Sequence, residues 1–268
     1  NLKFQHYLEF LSKEKRIELK ERIEGVAPAD EPRGRYSPFL GSDGFAIPVC
    51  MGDYIDEFRL VATSTDFFEK LRYGDAADQV YTFREGRNFQ EYSQENGFFE
   101  AVVGSQVARK LGLRLGDSIY ASHGPGGDTH EDPFKIVGIL DATGTPNDRA
   151  AFCNIEGFFL LEGHVAPKRD ETGLEIRDEV QANAPKLQDL TQRLPIAQRE
   201  VTAILVKHGL VGINLAKSIN KTSFAQAVSP IAEISQLLQF FVAPVQLVLL
   251  LLTLCVCLVS AVSILVSI

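Results

Sequence analysis

The last 35 residues of this 268-residue chain, 234–268, contain no Lys, Arg, Asp or Glu, and this feature constrains the fold more than any other. Within them, residues 247–268 read LVLLLLTLCVCLVSAVSILVSI, where Thr, Ser and Cys are the only departures from an apolar run. A bilayer core about 30 Å thick is crossed by about 20 apolar helical residues, each rising about 1.5 Å. The tail is therefore predicted to be a transmembrane helix rather than a helix buried in a protein core.

The rest of the chain has the composition of an acidic soluble domain. Every charged side chain lies at or before Glu233, and the formal net charge is −8. A nucleic-acid-binding domain would need a basic face to neutralise phosphates, so the sequence predicts no nucleic-acid partner. The chain begins with Asn1 and ends inside the apolar run, without the basic cluster that normally follows a span. We therefore expect a fragment of a longer membrane protein.

Apolar patterning outside the tail predicts an α+β domain, because strands and helices alternate without a regular repeat. Gly52 and Asp53 are expected to mark a break between two strands. The expected strands are FAIPVCM (45–51), FRLVAT (58–63), AVVG (101–104), LGDSIYAS (115–122), PFKIVGIL (133–140), the first part of 151–163 and a buried VTAILVK (201–207). The expected helices are a charged one over 4–24, short ones over 66–71 and after Ser105, a solvent-facing one over 168–195 and one over 214–229.

A loop rich in His, Asp and Gly is the candidate for a metal site. His123, Asp128 and His130 lie around the glycines of 124–127. Imidazole and carboxylate together suit Zn²⁺ or a similar cation. The same residues are also ordinary in a solvated hairpin loop, and no sharp ligand spacing separates the two interpretations.

A run of turn-forming residues between two predicted strands is the second candidate site. Thr145, Asn147, Asp148 and Arg149 lie in the segment TGTPNDR (143–149) and would form a loop that contacts a partner protein. The alternative is a purely structural turn, in which an Asn or Asp side chain bonds to its own backbone.

Four cysteines and several missing motifs complete the chemical inventory. Cys255 and Cys257 lie in the apolar tail, and the sequence leaves a disulfide between Cys50 and Cys153 open. The chain has no GxxxxGK[ST] phosphate loop and none of the GxSxG, HExxH or GxGxxG motifs. The chain is therefore not expected to bind ATP through such a loop itself, and these motifs supply no candidate catalytic residues.

Five stretches, taken in this order, resemble the extracytoplasmic domain of FtsX-like and MacB-like ABC transporter permeases. They are GDYIDEFRLVATSTDFFEKL (52–71), the Gly-Arg-Asn-Phe turn (86–89), AVVGSQVARKLGLRLGDSI (101–119), FKIVGILDATGTPNDRAAF (134–152) and REVTAILVK (199–207). Each motif is weak alone, and the resemblance lies in their order and spacing over roughly residues 45–268. A membrane helix then follows, as in that family.

The resemblance implies a two-lobed extracytoplasmic domain followed by the second of four membrane helices. By this analogy, residues 1–44 form a charged helix and linker, and 45–91 with 151–229 form a mixed α/β lobe. Residues 92–150 form an inserted β-rich lobe, and 230–268 form the truncated transmembrane helix with its lead-in. The N-terminal helix and residues 163–198 do not match the family members, so a substrate is not implied.

The resemblance also implies a noncatalytic permease subunit that transmits ATP-driven motion to an extracytoplasmic substrate or partner. A separate cytoplasmic ABC ATPase would bind the ATP, and a second permease copy or a paralogue would complete the transporter. Further expected partners are the membrane and a periplasmic protein or lipoprotein. The expected location is the bacterial inner membrane, with residues before about 240 on the extracytoplasmic side. Two rivals are a single-span sensor or adhesion ectodomain, and a membrane-tethered hydrolase or metalloenzyme that uses the 123–132 loop.

Overall fold

The computed structural model describes residues 1–161, 163–164 and 192–267, which form two compact units, Asn1–Ile213 and Asn214–Ile268. The strands of the first unit are β1 (Leu2–Lys3), β2 (Phe45–Ile55), β3 (Phe58–Thr63), β4 (Phe83–Gly86), β5 (Glu100–Val103), β6 (Ser118–Ile119), β7 (Phe134–Leu140), β8 (Ala150–Asn154), β9 (Glu200–Val201) and β10 (Ala203–Lys207). Its α-helices are α1 (Gln5–Leu8), α2 (Lys13–Glu24), α3 (Ser37–Leu40), α4 (Asp66–Lys70), α5 (Ser105–Leu111) and α6 (Ile155–Leu160). Short 3₁₀ helices lie at Pro146–Arg149, Ile196–Gln198 and Leu210–Asn214.

Eight of the strands in the described part of the chain form one mixed sheet. Its order is β10-β2-β3-β8-β5-β7-β4, and β6 pairs with β7 beside this path. β3 runs parallel to β8 and β5 runs parallel to β7, whereas the other neighbours are antiparallel. The α+β class predicted from the apolar patterning is confirmed. The lobe boundaries stay a prediction, although β5, β6 and β7, which lie within 92–150, share this sheet with β2 and β3.

Helix α4 covers one face of the sheet and builds an aromatic core. Phe67 and Phe68 are buried there, and their ring centroids lie 5.1 Å and 5.0 Å from that of Phe152 on β8. Aromatic pairs at such separations contribute beyond the area that they bury. The buried members of this core are Ile47, Val49, Phe67, Phe68, Tyr81, Phe89, Val102, Leu140, Ala150 and Phe152.

The charged helix predicted over residues 4–24 is divided into two. Ser12 adopts an extended conformation, and its Oγ accepts a hydrogen bond from the Lys15 N–H, which begins α2. Because an N-cap residue lies outside helical geometry, α1 and α2 cannot be continuous. Helix α2 ends at Gly25, where φ is 73°, as expected of a glycine C-cap.

Two other predictions near the C-terminal part of the chain need correction. Strand β10 is half-buried rather than buried, because it lies at the sheet edge and pairs with β2. The helix predicted over 214–229 is confined to α7 (Leu215–Ile219). The helix predicted over 168–195 falls largely outside the described residues.

The second unit contains the apolar tail as one long helix, α8 (Pro230–Ser267). Its 38 residues exceed the length that a bilayer core requires, so the apolar part can span while the lead-in extends beyond the hydrocarbon. Thr253 Oγ1 donates to the Leu249 carbonyl one turn earlier at 2.6 Å. The hydroxyl thus has a hydrogen-bond partner within the helix, which lipid chains could not provide. The predicted transmembrane helix is confirmed.

Sheet register settles the disulfide question for the two cysteines of the first unit. Cys50 on β2 pairs with Ala62 on β3, and Ala62 pairs with Cys153 on β8. Two strand spacings separate the cysteines by about 9.5 Å, beyond the Cα separation of about 4.4–6.8 Å that a disulfide spans. Both thiols are free and buried, and burial raises the pKa of Cys50 to about 12.

Candidate metal centre

A β-bulge in β2 turns Asp53 into the interior. Met51 pairs with Val61 and Tyr54 with Arg59, so β2 carries one more residue than β3 between these pairs. The predicted break at Gly52 and Asp53 is therefore wrong: the strand continues through both residues. Met51 and Gly52 are exposed while Asp53 is only 3% exposed, because a bulge changes which side chains face inward.

A Gly-Pro-Gly-Gly turn shapes the loop that carries two histidines. The Gly127 N–H donates to the Gly124 carbonyl at 3.0 Å, and Gly126 between them has a φ of 72°. Proline followed by a glycine with positive φ is the signature of a type II turn. Below this turn, His123 and Asp128 are joined by a backbone hydrogen bond of 3.2 Å.

The same loop is fixed to the bulge by backbone hydrogen bonds. Ser122 and Tyr54 exchange two of them, at 2.9 Å and 3.0 Å, in an antiparallel bridge. The His130 N–H donates to the Ala121 carbonyl at 2.8 Å. His123 and His130 are thereby brought beside Asp53, since Tyr54 follows Asp53 directly.

A third histidine approaches from the end of helix α6. The His164 N–H donates to the Leu161 carbonyl at 3.2 Å, and the imidazole centroid lies 4.2 Å from that of Phe158. His164 Nδ1 lies 3.1 Å from the Phe158 carbonyl oxygen. Because that oxygen can only accept, Nδ1 carries the proton and Nε2 is directed at Asp53.

Asp53, His123, His130 and His164 form the cluster that we call the Asp53 centre. One ligand atom from each of the four residues lies within 4.8 Å of the others. Asp53 Oδ2 lies 3.2 Å from His164 Nε2 and 3.3 Å from His130 Nε2, and Asp53 Oδ1 lies 3.5 Å from His123 Nδ1. The side chains of Asp53 and His130 are each 4% exposed, and that of His123 is 55% exposed.

Two buried atoms at this centre have no hydrogen-bond partner among residues 1–161, 163–164 and 192–267. They are Asp53 Oδ2 and His130 Nε2, which lie close together without the direction of a hydrogen bond. A buried polar atom left without a partner is destabilising by about 1–3 kcal/mol, so each such atom calls for an explanation. Donor atoms that converge without bonding one another are what a metal ion requires.

The charges at the centre act on one another. Burial lowers the pKa of His130 and the charge of His164 acts in the same direction, against an opposing effect of Asp53. Burial acts to raise the pKa of Asp53, but the contact with His164 and the charges of the three histidines outweigh it and hold this pKa below its ordinary value. Asp53 is therefore a carboxylate at neutral pH.

The structure brings together two of the three residues that the sequence indicated as metal ligands. His123 and His130 belong to the Asp53 centre, whereas Asp128 is exposed and contributes its backbone carbonyl to the turn. Sequence reasoning missed Asp53 and His164. A glycine inside a strand often marks a bulge, so Gly52 was the available signal for Asp53.

The 143–149 loop is held together from within by Asp148. This buried carboxylate accepts hydrogen bonds from the Thr143 N–H and Oγ1, both at 2.8 Å, and from the Gly144 N–H at 2.9 Å. Asn147 donates to the Tyr81 hydroxyl at 2.6 Å. Thr145 Oγ1 accepts from the Asn147 N–H at 3.3 Å, and Arg149 is exposed. Contact between this loop and a partner protein stays a prediction.

Comparison with known proteins identifies the family. Residues 11–194 match the MacB-like periplasmic core domain, which is more than half of the chain. The chain belongs to this family. No curated protein matches the sequence. In this chain the apolar helix α8 follows the MacB-like periplasmic core domain. The resemblance seen in the sequence is therefore confirmed. The chain is a periplasmic or extracellular domain of a MacB/FtsX-like ABC permease with a membrane helix.

Three solved structures are similar to this core domain at low identity. The extracellular domain of the noncanonic ABC-type transporter YknZ from Gram-positive bacteria is 12% identical with a TM-score of 0.39, over 82% of this chain and 97% of that one. The periplasmic region of MacB from Actinobacillus actinomycetemcomitans is 11% identical with a TM-score of 0.31, over 66% and 76%. A domain of a permease protein from Porphyromonas gingivalis is 10% identical with a TM-score of 0.32, over 69% and 63%.

The Gly-Arg-Asn-Phe turn of this MacB-like core domain is fixed to strands β5 and β7 by close packing and an ion pair. A Cβ on Gly86 would lie 2.1 Å from the Val137 carbonyl oxygen, so only glycine fits. Arg87 pairs with the fully buried Glu100 through two hydrogen bonds of 2.8 Å and 2.7 Å. Burial acts to raise the pKa of Glu100, but hydrogen bonds led by that from Arg87 lower it to about 2.

A second buried ion pair fixes helix α6 of the core domain. Arg199 donates to both Glu156 carboxylate oxygens at 2.9 Å and to the Leu194 carbonyl oxygen at 2.6 Å. Its guanidinium also lies over the Phe4 and Phe159 rings, 5.3 Å and 5.2 Å from their centroids. Because α6 leads directly to His164, this pair also supports the Asp53 centre.

Proposed function

We propose that this domain transmits ATP-driven movement of membrane helices to an extracytoplasmic substrate or partner. In this proposal the chain is the noncatalytic permease subunit, and a separate cytoplasmic ABC ATPase binds and hydrolyses the nucleotide. The observation that carries the proposal is a MacB-like periplasmic core domain in the same chain as a membrane-spanning helix. A second permease copy or a paralogue is the further partner that this architecture requires.

The first unit has the mechanical continuity that such a role needs. Strand β1 pairs with β9 through Leu2–Val201 and Lys3–Glu200, so the N-terminal residues are tied to the segment that leads into β10. The Phe4 N–H also donates to the Arg199 carbonyl at 3.0 Å. Residues 2–4 and 199–201 are therefore held side by side by backbone hydrogen bonds. We expect a force on either segment to reach the large sheet through β10, which follows β9.

The first test identifies the partners. The intact parent protein would be purified from its native membrane after mild crosslinking, and the co-purifying proteins would be identified by mass spectrometry. A stoichiometric ABC ATPase is the expected result, and an accompanying lipoprotein or periplasmic protein would indicate the substrate. A preparation without any ATPase would contradict the proposal and favour a single-span sensor or adhesion ectodomain.

The second test measures movement. A spin label would be attached at Lys15→Cys, an exposed position on α2 outside both candidate sites, and the distance between labels on two permease copies would be measured by pulsed electron spin resonance. ATP with a hydrolysis-deficient ATPase should change this distance relative to the nucleotide-free complex. A transporter that moves its substrate with an unchanged label distance would contradict transmission through this domain.

A further inference from the structure

We propose that Asp53, His123, His130 and His164 bind one divalent transition-metal ion, with Zn²⁺ the ion that suits their geometry, in a closed four-ligand site. The site joins three separate parts of the chain: the bulge of β2, the 122–130 loop and the segment after α6. This inference is independent of the mechanical role proposed above, because it concerns what the domain binds rather than how the permease moves.

The distances at the Asp53 centre agree with a tetrahedral zinc site. Zn²⁺ binds imidazole nitrogen and carboxylate oxygen at about 2.0–2.2 Å, so the ligand atoms of a tetrahedral site lie about 3.3 Å from one another. The three contacts between the Asp53 carboxylate and the histidine nitrogens are 3.2, 3.3 and 3.5 Å. The Asp53 carboxylate is therefore about as far from each imidazole as two ligands of one ion would be, and one ligand atom from each of the four residues lies within 4.8 Å of the others.

His164 is oriented for a metal by a contact outside the cluster. Its Nδ1 lies 3.1 Å from the Phe158 carbonyl oxygen, which leaves Nε2 as the ring atom that faces the Asp53 carboxylate at 3.2 Å. Metal-binding histidines in proteins commonly donate their other ring N–H to a backbone carbonyl in this way. A cation between His164 Nε2 and the Asp53 carboxylate would bind both groups at once.

Burial supplies an independent argument for a bound cation. Asp53 and His130 are both more than nine-tenths buried, and Asp53 Oδ2 and His130 Nε2 have no hydrogen-bond partner among the residues that the structure describes. A buried carboxylate needs a partner to offset its lost hydration. A divalent ion would satisfy both orphaned atoms and balance the negative charge.

The number of ligands indicates a structural rather than a hydrolytic site. Four protein ligands fill a tetrahedral zinc ion, whereas catalytic zinc sites keep one position open for water. The ligand set favours Zn²⁺ over Mg²⁺ and Ca²⁺, which prefer oxygen ligands. A cleft of about 290 Å³, lined in part by Gly52, Asp53 and His164, reaches the centre from solvent and offers an entry path.

The test uses the full chain in detergent, stripped of metal with a chelator and dialysed against Zn²⁺. We expect about one zinc per chain by elemental analysis, with no displacement by excess Mg²⁺ or Ca²⁺. Loading with Co²⁺ should give the visible absorption of a four-coordinate ion, which requires no mutation. Zinc at well below one equivalent, or a Co²⁺ spectrum of a six-coordinate ion, would overturn the proposal.

Two variants and one control assign the ligands. His123→Ala is the primary variant, because this side chain is half-exposed and its loss leaves no cavity in the core. Replacing a residue that only hydrogen-bonds to a metal ligand weakens metal binding by about 10–100-fold. Because His123 and His164 would bind the ion directly, His123→Ala and His164→Ala should each weaken zinc binding by about 100-fold or more. His208→Ala is the control, since His208 is exposed and outside the centre, and it should leave the affinity unchanged. Equal affinities in all four proteins would exclude this site.

Discussion

Two buried polar clusters of this domain differ in how their atoms are satisfied. In the Arg199 cluster, the guanidinium donates to both oxygens of Glu156 and to the Leu194 carbonyl, so Arg199 and Glu156 are paired within the protein. In the Asp53 centre, the carboxylate and the histidines lie 3.2–3.5 Å apart, and Asp53 Oδ2 and His130 Nε2 have no hydrogen-bond partner in the described part of the chain.

The difference separates a structural ion pair from a ligand site. Evolution of a stable interior favours buried polar groups that have partners, because each orphaned group is destabilising. Arg199 and Glu156 are hydrogen-bonded to each other, and no added group is needed to pair them. In the Asp53 centre, the proposed cation supplies the missing partner. Substitutions in the two clusters and the addition of zinc should therefore have different effects.

Arg199→Met should have the largest effect on stability. It leaves the Glu156 carboxylate, which is only 12% exposed, with the longer contact to Arg193 at 3.6 Å, and breaking a largely buried pair in this way costs about 3–5 kcal/mol. Chemical denaturation followed by circular dichroism would measure the free energy of unfolding. The control is Lys13→Met, since Lys13 and Asp30 form an exposed ion pair at 3.5 Å that contributes at most about 1 kcal/mol. Equal losses in the two variants would contradict the account.

Glu100→Gln should destabilise the domain by about 3 kcal/mol, at the low end for a buried pair because Arg87 is 45% exposed. The pKa of Glu100 is lowered to about 2 in the folded domain, so its contribution is present above its ordinary pKa near 4.5 and is lost as pH falls toward 2. The gap between wild type and variant should therefore be constant at neutral pH and close below about pH 4.5. A difference in unfolding free energy that became larger in acid would contradict the lowered pKa of Glu100.

Zinc should raise the stability of the domain by mass action. A ligand present at 100 times its dissociation constant stabilises the folded state by about 2.7 kcal/mol, which corresponds to about 5–10 °C in Tm for a domain of this size. Differential scanning calorimetry of the metal-free chain with and without Zn²⁺ would measure the shift. His123→Ala should abolish the shift and His208→Ala should retain it. A similar shift in both variants would place zinc elsewhere.

Asp148→Ala should have the smallest effect of the four, about 2 kcal/mol, because it removes three hydrogen bonds from a carboxylate within one surface loop. Arg149→Ala, one residue along, should change the free energy of unfolding by less than about 0.5 kcal/mol. Thermal unfolding of the two variants measures the difference. If Arg149→Ala alone reduces co-purification of a partner, the predicted contact loop gains support.

Much of the fold could be predicted from local patterns. The strands AVVG, PFKIVGIL and AFCN are short apolar runs flanked by turn residues, and the structure places them side by side as β5, β7 and β8. The transmembrane tail follows from length and apolarity alone. The division of residues 4–24 was missed because Ser12 fits a polar helix face as well as it fits an N-cap.

Half of the Asp53 centre was predictable and half was not. His123 and His130 lie in one loop, so a sequence window contains both. The sequence predicts a strand break at Asp53, because the pairing that makes it a bulge comes from β3 and cannot be seen in the segment itself. His164 joins the centre only after α6 has packed, and no spacing in the sequence reports that long-range contact. Asp128 lies in the right loop, but the turn directs its side chain to solvent.

X-ray absorption spectroscopy at the zinc edge, on the full chain loaded with one equivalent of Zn²⁺, tests the central contrast most directly. The account predicts four nitrogen and oxygen neighbours at about 2.0–2.2 Å, with the scattering of several imidazole rings. His123→Ala should lose one ring from that shell, while His208→Ala should match the wild type. A zinc ion surrounded by six oxygen atoms, or a spectrum without imidazole scattering, would contradict the account.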